Sequence, residues 1–154
     1  MEFRFVTALV TKATRPGWAQ TTAQFVIESA RLGGRDVVQP GFELDWDSVP
    51  RIPPLHAWLK GRAEKAACYH DWLYRYQEFR AHASRLVNPG WAVEPYALTR
   101  RQADLAFLDA MVAEGVARRH RWPIYIGVRL GGWIGWHKHR RALKSTNAGS
   151  RSVG

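Results

Sequence analysis

The chain opens with FRFVTALVT, where apolar and polar residues alternate over Phe3 to Thr11. This is the two-residue period of a strand with one buried face. TRPGW follows with the proline and glycine of a turn, and TTAQFVIES (Thr21 to Ser29) returns to strand-forming residues. Gly33-Gly34 interrupts the chain before a short third strand around Asp36 to Val38. Pro40, Pro50, Pro53 and Pro54 each remove a backbone donor and restrict the preceding residue, so Pro40 to Leu55 is expected to be an ordered but irregular loop.

From about Arg62 the period becomes helical. Ala63, Ala66, Ala67, His70, Leu73, Tyr74 and Gln77 recur on one face at steps of three and four. Asn88-Pro89-Gly90 centres a loop that ends near Leu98. Thr99 followed by Gln102 is a capping box, opening a second helix that ends around Glu114-Gly115. Pro123 suits the first turn of a third helix, which runs to about His137 and is weakened by Gly127, Gly131, Gly132 and Gly135. The pattern predicts an α+β fold: a small antiparallel sheet of about three strands followed by three packed helices. One domain is expected over residues 1–137, followed by a basic tail, 138–154. The end of that tail, LKSTNAGSRSVG, has little to pack and is expected to be disordered.

A length of 154 residues suits one domain with its own core, and 46% hydrophobic with 23% charged residues is a globular composition. Eight tryptophans are many for this length and suggest interfaces or grooves as well as core. The single cysteine, Cys68, excludes an internal disulfide framework and a cysteine-based zinc site. Synthesis in a reducing cytoplasm fits this usage. The start carries Glu2 and alternates, so no secretory signal is expected. The apolar region Trp122 to Trp136 carries Arg129 and is too short to span a membrane.

The net charge of +10 is concentrated at one end: no acid follows Glu114, while nine basic residues do. Such an end could meet nucleic acid, acidic lipid or a negatively charged partner, or serve only as a solubilising tail. Trp133 and Trp136 beside this basic run would suit a membrane surface or single-stranded nucleic acid. The simpler expectation is that Ile124, Val128 and Trp136 pack on the other helices while the arginines stay in water.

AACYHDWLYR, Ala66 to Arg75, sets a histidine beside an aspartate in the first helix. His70 shares a face with Ala63, Ala67 and Tyr74, while Asp71 lies about 100° round, within reach of Arg75. Asp104 falls in the apolar stripe of Phe107, Leu108 and Met111, a costly place for a carboxylate without a partner. Packed antiparallel, the two helices could set Asp104 against His70. A carboxylate on one ring nitrogen fixes the tautomer and leaves the other nitrogen to deprotonate water. Asp71, with Asp45 or Asp47, could then hold a divalent cation, calcium or zinc, that polarises a substrate oxygen. The competing reading is a His-Asp hydrogen bond that only orders the core, and spacing alone favours it. Ser48 lacks the context of a nucleophile elbow and reads better as a turn cap. His137 and His139 have no nearby acid to complete a metal site.

GFELDWDSVPR (Gly41 to Arg51), HDWLYR (His70 to Arg75), TRRQADLAFLDAMVAEGV (Thr99 to Val116) and IYIGVRLGG (Ile124 to Gly132) occur in this order. Together they resemble a domain family of unknown function, domain of unknown function 1353, that is widespread in tailed bacteriophages and prophages. The resemblance reaches about Trp136 and departs at Leu44, where the family usually has threonine. It implies a phage or prophage origin but no activity. Tyr74, Arg75, Ser48, Arg51 and Arg100 join the candidate residues as members of these motifs.

A shorter resemblance is to the C-x-x-H-D-x-x-Y helix of phospholipase A2, with Cys68 one residue closer to His70 than in that pattern. It implies His70 as the water-activating base, Asp71 as a calcium ligand and Asp104 as the residue that orients His70. The disulfides and the calcium loop of that enzyme class are missing. Two expectations result. One is a metal-assisted hydrolase acting on envelope lipid or peptidoglycan in phage entry or release. The other is a non-catalytic virion or assembly protein that docks on other phage proteins through its basic end.

Overall fold

The alternating run at the start does not form one strand. The computed structural model, which describes residues 2–45, 61–79 and 96–150 (the side chains of 147–150 excepted), divides it between β1 (Arg4–Phe5) and β2 (Thr11–Arg15). TTAQFVIES likewise divides into the end of β3 (Trp18–Thr21) and β4 (Phe25–Ser29). The reason is that the chain changes sheets within each run. β1 joins β4 and β5 (Gly34–Val38), whereas β2 joins β3 and β6 (Glu43–Asp45), giving two antiparallel three-stranded sheets. Threonines satisfy the backbone at the crossings. Thr7 Oγ1 accepts from the Val26 amide at 2.9 Å and donates to the Gln24 carbonyl, and the Thr22 amide donates to the Val10 carbonyl.

The β4–β5 hairpin turns through Gly33, whose φ of 86° disfavours side chains, and pairs Phe25 with Val38 and Ile27 with Asp36. β6 is a correction to the irregular loop expected from Pro40 onward. Residues 43–45 carry no proline, so they can pair with β3, and Leu44 enters the core fully buried. Leu44, where the resemblance departs, is therefore apolar packing here. The rest of that expected loop, residues 46–55, lies outside the described residues, as does the expected turn at Asn88-Pro89-Gly90.

Among the described residues three helices follow: α1 (Glu64–Tyr76), α2 (Arg100–Ala113) and α3 (Arg118–Ser150). A short ladder of β7 (Glu78–Phe79) with β8 (Tyr96–Ala97) lies between α1 and α2 in the chain. The α+β class holds, with the sheet resolved into two. α2 begins with the capping box read from the sequence: Thr99 Oγ1 accepts from the Gln102 amide, and Gln102 Oε1 accepts from the Thr99 amide at 2.9 Å. α1 has no side-chain cap at Ala63. Glu114, at the far end of α2, takes that role by accepting from the Lys65 and Ala66 amides at 3.0 Å each.

α3 differs from expectation at both ends. It starts five residues before Pro123, which is tolerated because a proline so near the start removes a single helical hydrogen bond. It also continues past His137 to Ser150, into the segment expected to be disordered, where Lys, Arg, Ala and Leu favour helix and Ser145 and Thr146 bond back to the Ala142 carbonyl; residues 151–154 lie outside the described residues.

The sheet side of the core gathers Phe25, Ile27, Leu44, Tyr69, Trp72 and Phe79. The helix side gathers Phe107, Met111, Ile124 and Val128. Tyr69 links the two layers by donating its hydroxyl to the buried Asp36 carboxylate of β5. Ile124, Val128 and Trp136 do face inward from α3. Among the described residues, no helix is long and apolar enough to cross a membrane.

Candidate functional site

One turn of α1 presents His70 and Tyr74 on the same face, α2 places Asp104 opposite them, and α3 brings Arg129 from the third side. Asp104 is completely buried. Its Oδ1 lies 3.1 Å from His70 Nε2 and accepts the Tyr74 hydroxyl at 2.6 Å, while its Oδ2 accepts from Arg129 Nη1 at 2.5 Å. Burial alone would raise the Asp104 carboxyl above its ordinary value. The hydrogen bonds and charge of His70, with those of Tyr74 and Arg129, outweigh it and hold the carboxyl below its ordinary value. An ionised carboxylate only accepts, so His70 Nε2 is the nitrogen that carries hydrogen, and in the neutral ring Nδ1 is basic. The ring is held between Tyr74 and Phe107, with centroids at 4.1 and 4.7 Å. It keeps 10% of its side-chain exposure.

A second layer fixes the first. Arg100 Nη1 donates to the Arg129 carbonyl at 3.0 Å. Burial and the Asp104 charge push the Tyr74 hydroxyl far above the usual tyrosine range, so it stays a donor. Gly132 of α3 allows this arrangement: a Cβ there would lie 2.5 Å from Tyr74 Oη. The glycines that weaken the sequence signal for α3 thus include one that admits the tyrosine.

Asp71 points elsewhere. It is half-buried, and its carboxyl is raised to about 6, chiefly by burial and further by the charge of Asp45, against the lowering effect of His70 and Arg75. Asp45 at the end of β6 is therefore close enough for the two carboxylates to repel. Arg75 stacks over Phe42, 5.0 Å from its ring centre, and reaches the Glu43 carbonyl at 3.5 Å, on the β6 side of α1. Asp45 and Asp71 offer oxygen donors only, and His70 Nε2 is committed to Asp104, so the donor set suits a hard cation such as calcium better than zinc. Calcium takes about six to eight oxygens, more than two carboxylates supply, so carbonyls or water would complete its shell. Among the described residues, no group of three or more His, Cys, Asp and Glu could hold a metal ion.

Ser48 and Arg51 lie outside the described residues. Cys68 is sealed, and burial raises its thiol well above the ordinary value, so it offers no nucleophile. The residue that sequence reasoning left out of the cluster is Arg129. The signal was present, because an aspartate in an apolar stripe needs a countercharge and Arg129 is the one charge inside the apolar run from Trp122 to Trp136.

These features define a small α+β domain in which α1, α2 and α3 close around a buried His-Tyr-Asp-Arg cluster, with Asp71 on the adjoining face of α1 toward Asp45 of β6. The chain belongs to the family described as Protein of unknown function (DUF1353), whose model matches residues 20–128. No curated protein and no solved structure matches the chain.

Proposed function

We propose that this protein is a cation-assisted hydrolase of acyl esters in envelope lipid, serving a bacteriophage or prophage at entry or release. The observation that carries the reading is the double hydrogen bond on Asp104 Oδ1, from His70 Nε2 and from Tyr74 one turn later. That is the role the phospholipase A2 resemblance implies for a later-helix aspartate. Orientation of this kind leaves Nδ1 to take a proton from water. The resulting hydroxide attacks the ester carbonyl, and the proton passes from His70 to the departing alkoxide, so the products are a fatty acid and an alcohol. Asp71 and Asp45 would hold calcium, which supplies polarisation of the carbonyl oxygen and neutralises the charge developing there. Asp104 stabilises the imidazolium while His70 holds the proton. Arg129 and Tyr74 keep Asp104 ionised and in place.

The test is release of fatty acid from phospholipid vesicles with calcium or with chelator, for the wild type, His70→Asn and Asp71→Asn. Calcium-dependent release lost in both variants supports the reading. No release of fatty acid, or release that neither chelator nor the variants change, would refute it. A non-catalytic phage assembly protein is the second reading. It is favoured by the burial of His70, which is 8% exposed, and by the tie that Asp104 makes between all three helices.

A further inference from the structure

The outer face of α3 is apolar where a helix of a water-soluble domain should be polar. Trp122, Ile126, Leu130, Trp133 and Ile134 are all exposed, from 43% at Trp122 to 72% at Leu130. At about 100° per residue these five fall within an arc of roughly 120°, along about 18 Å of helix. The opposite arc carries Ile124, Val128 and Trp136, all buried against α1 and α2. α3 is thus apolar on two faces, and among the described residues only the inner one is packed.

What surrounds the outer stripe identifies its partner. Arg118 and Arg119 are exposed at one end, and Lys138, Arg140, Arg141 and Lys144 are exposed at the other. On the helical wheel Arg119, Arg140, Arg141 and Lys144 share the arc of the stripe, so positive charge continues its line in both directions. No acid occurs after Glu114. A second copy of the chain would bring the same positive charges against these, which opposes pairing through this face. An anionic lipid surface matches both parts: tryptophans and aliphatic side chains enter the headgroup–acyl boundary while lysines and arginines meet the headgroups. Lying in the surface also fits the absence, among the described residues, of a helix able to cross it.

We propose that the outer face of α3 is an interfacial binding site for anionic membrane, with Leu130, Trp133 and Ile134 as the inserted residues. The site rests on α3 alone and stands whether or not His70 is catalytic. If the hydrolase reading also holds, α3 delivers the domain to its substrate.

The experiment is cosedimentation of the full chain with vesicles of phosphatidylglycerol and phosphatidylcholine, against phosphatidylcholine alone, in excess chelator so that no calcium-dependent turnover intervenes. Leu130→Asp with Ile134→Asp is expected to weaken binding to the anionic vesicles by at least about tenfold, given the apolar area withdrawn from the boundary. Both positions are exposed, and circular dichroism checks that the variant is folded. Arg140→Glu with Arg141→Glu should weaken binding and reduce its salt dependence. Equal binding to phosphatidylcholine alone, no binding by the wild type, or undiminished binding by the Leu130/Ile134 variant would overturn the proposal. So would a wild-type dimer that the Leu130/Ile134 variant makes monomeric while neither binds vesicles, or capture of single-stranded oligonucleotide in place of lipid. Hydrolysis of a soluble short-chain ester without vesicle binding would sink this proposal and leave the hydrolase reading intact; vesicle binding without hydrolysis would do the reverse.

Discussion

Replacing Gly132 with alanine should destabilise the fold, although alanine is the better helix former. A Cβ at this position would sit 2.5 Å from Tyr74 Oη and 3.3 Å from Cζ, so the ring must withdraw. The hydroxyl bonds Asp104 at 2.6 Å, and withdrawal breaks a hydrogen bond to a buried carboxylate. Overpacking costs about 1–3 kcal/mol, and loss of a hydrogen bond to a charged group costs about 1.5–3 kcal/mol. Helix propensity returns about 1 kcal/mol. The balance is a loss of about 1.5–5 kcal/mol. Gly135, one turn on, is the internal control: a Cβ there would meet Tyr74 Cδ1 at 3.9 Å, an ordinary contact. Gly135→Ala should therefore be neutral or stabilising by up to about 1 kcal/mol. Urea unfolding, read as a change in midpoint at constant slope, measures both. In a Tyr74→Phe background the atom nearest the new methyl is gone, so Gly132→Ala should cost clearly less there, and the double variant should lose less than the sum of the two single ones. If Gly132→Ala is neutral, or costs as much without the tyrosine hydroxyl, close packing of α3 on Tyr74 is not what the glycine serves.

Asp71 gives a pH signature. Its folded value, about 6, lies above the ordinary 3.8, so the native state holds a proton that the unfolded chain releases. Its contribution is present below about pH 4 and is lost as pH rises through about 6; Asp71→Asn should flatten stability across that window, and an unchanged profile would refute the assignment. Bound calcium should pull the same titration down, which a pH series with and without calcium detects. Asp104 carries the opposite sign: its depressed carboxyl stabilises the fold above the unfolded value near 3.8, and that share is lost as pH falls through the folded value. Asp104→Ala strands the buried donors of His70 and Tyr74 and should cost about 3–5 kcal/mol in urea unfolding, with a loss under 1 kcal/mol arguing against the cluster. Glu114→Ala should cost about 1 kcal/mol and speed hydrogen exchange at Lys65 and Ala66 ahead of the rest of α1, since Glu114 is the cap that helix takes from α2.

What could be read from residues alone was whatever local geometry decides. Thr99 and Gln102 satisfy one another within a single turn, so the start of α2 was visible as a spacing. Helical periodicity gave α1 within two residues, and the inward positions of α3, Ile124, Val128 and Trp136, followed from the same arithmetic. An aspartate among apolar residues announced that Asp104 needed a partner. Antiparallel packing of the two helices pointed to His70, but nothing local showed that Tyr74 and Arg129 join it, because they reach Asp104 from 30 and 25 residues away.

The tertiary structure decided matters that depend on chain direction and on neighbours distant in sequence. Alternation is the same whether a run stays in one sheet or crosses to another, so the division of Phe3 to Thr11 between two sheets was invisible. Glu114 caps α1 across 48 residues, and no local pattern encodes that bond. Gly132 reads as a weakness in a helix until Tyr74 is packed against it. The exposed line of Trp122, Ile126, Leu130, Trp133 and Ile134 looks like core in a hydropathy pattern. Whether an apolar face is covered depends on how many other elements reach it, and α1 and α2 bury the inner face while the outer stripe stays exposed.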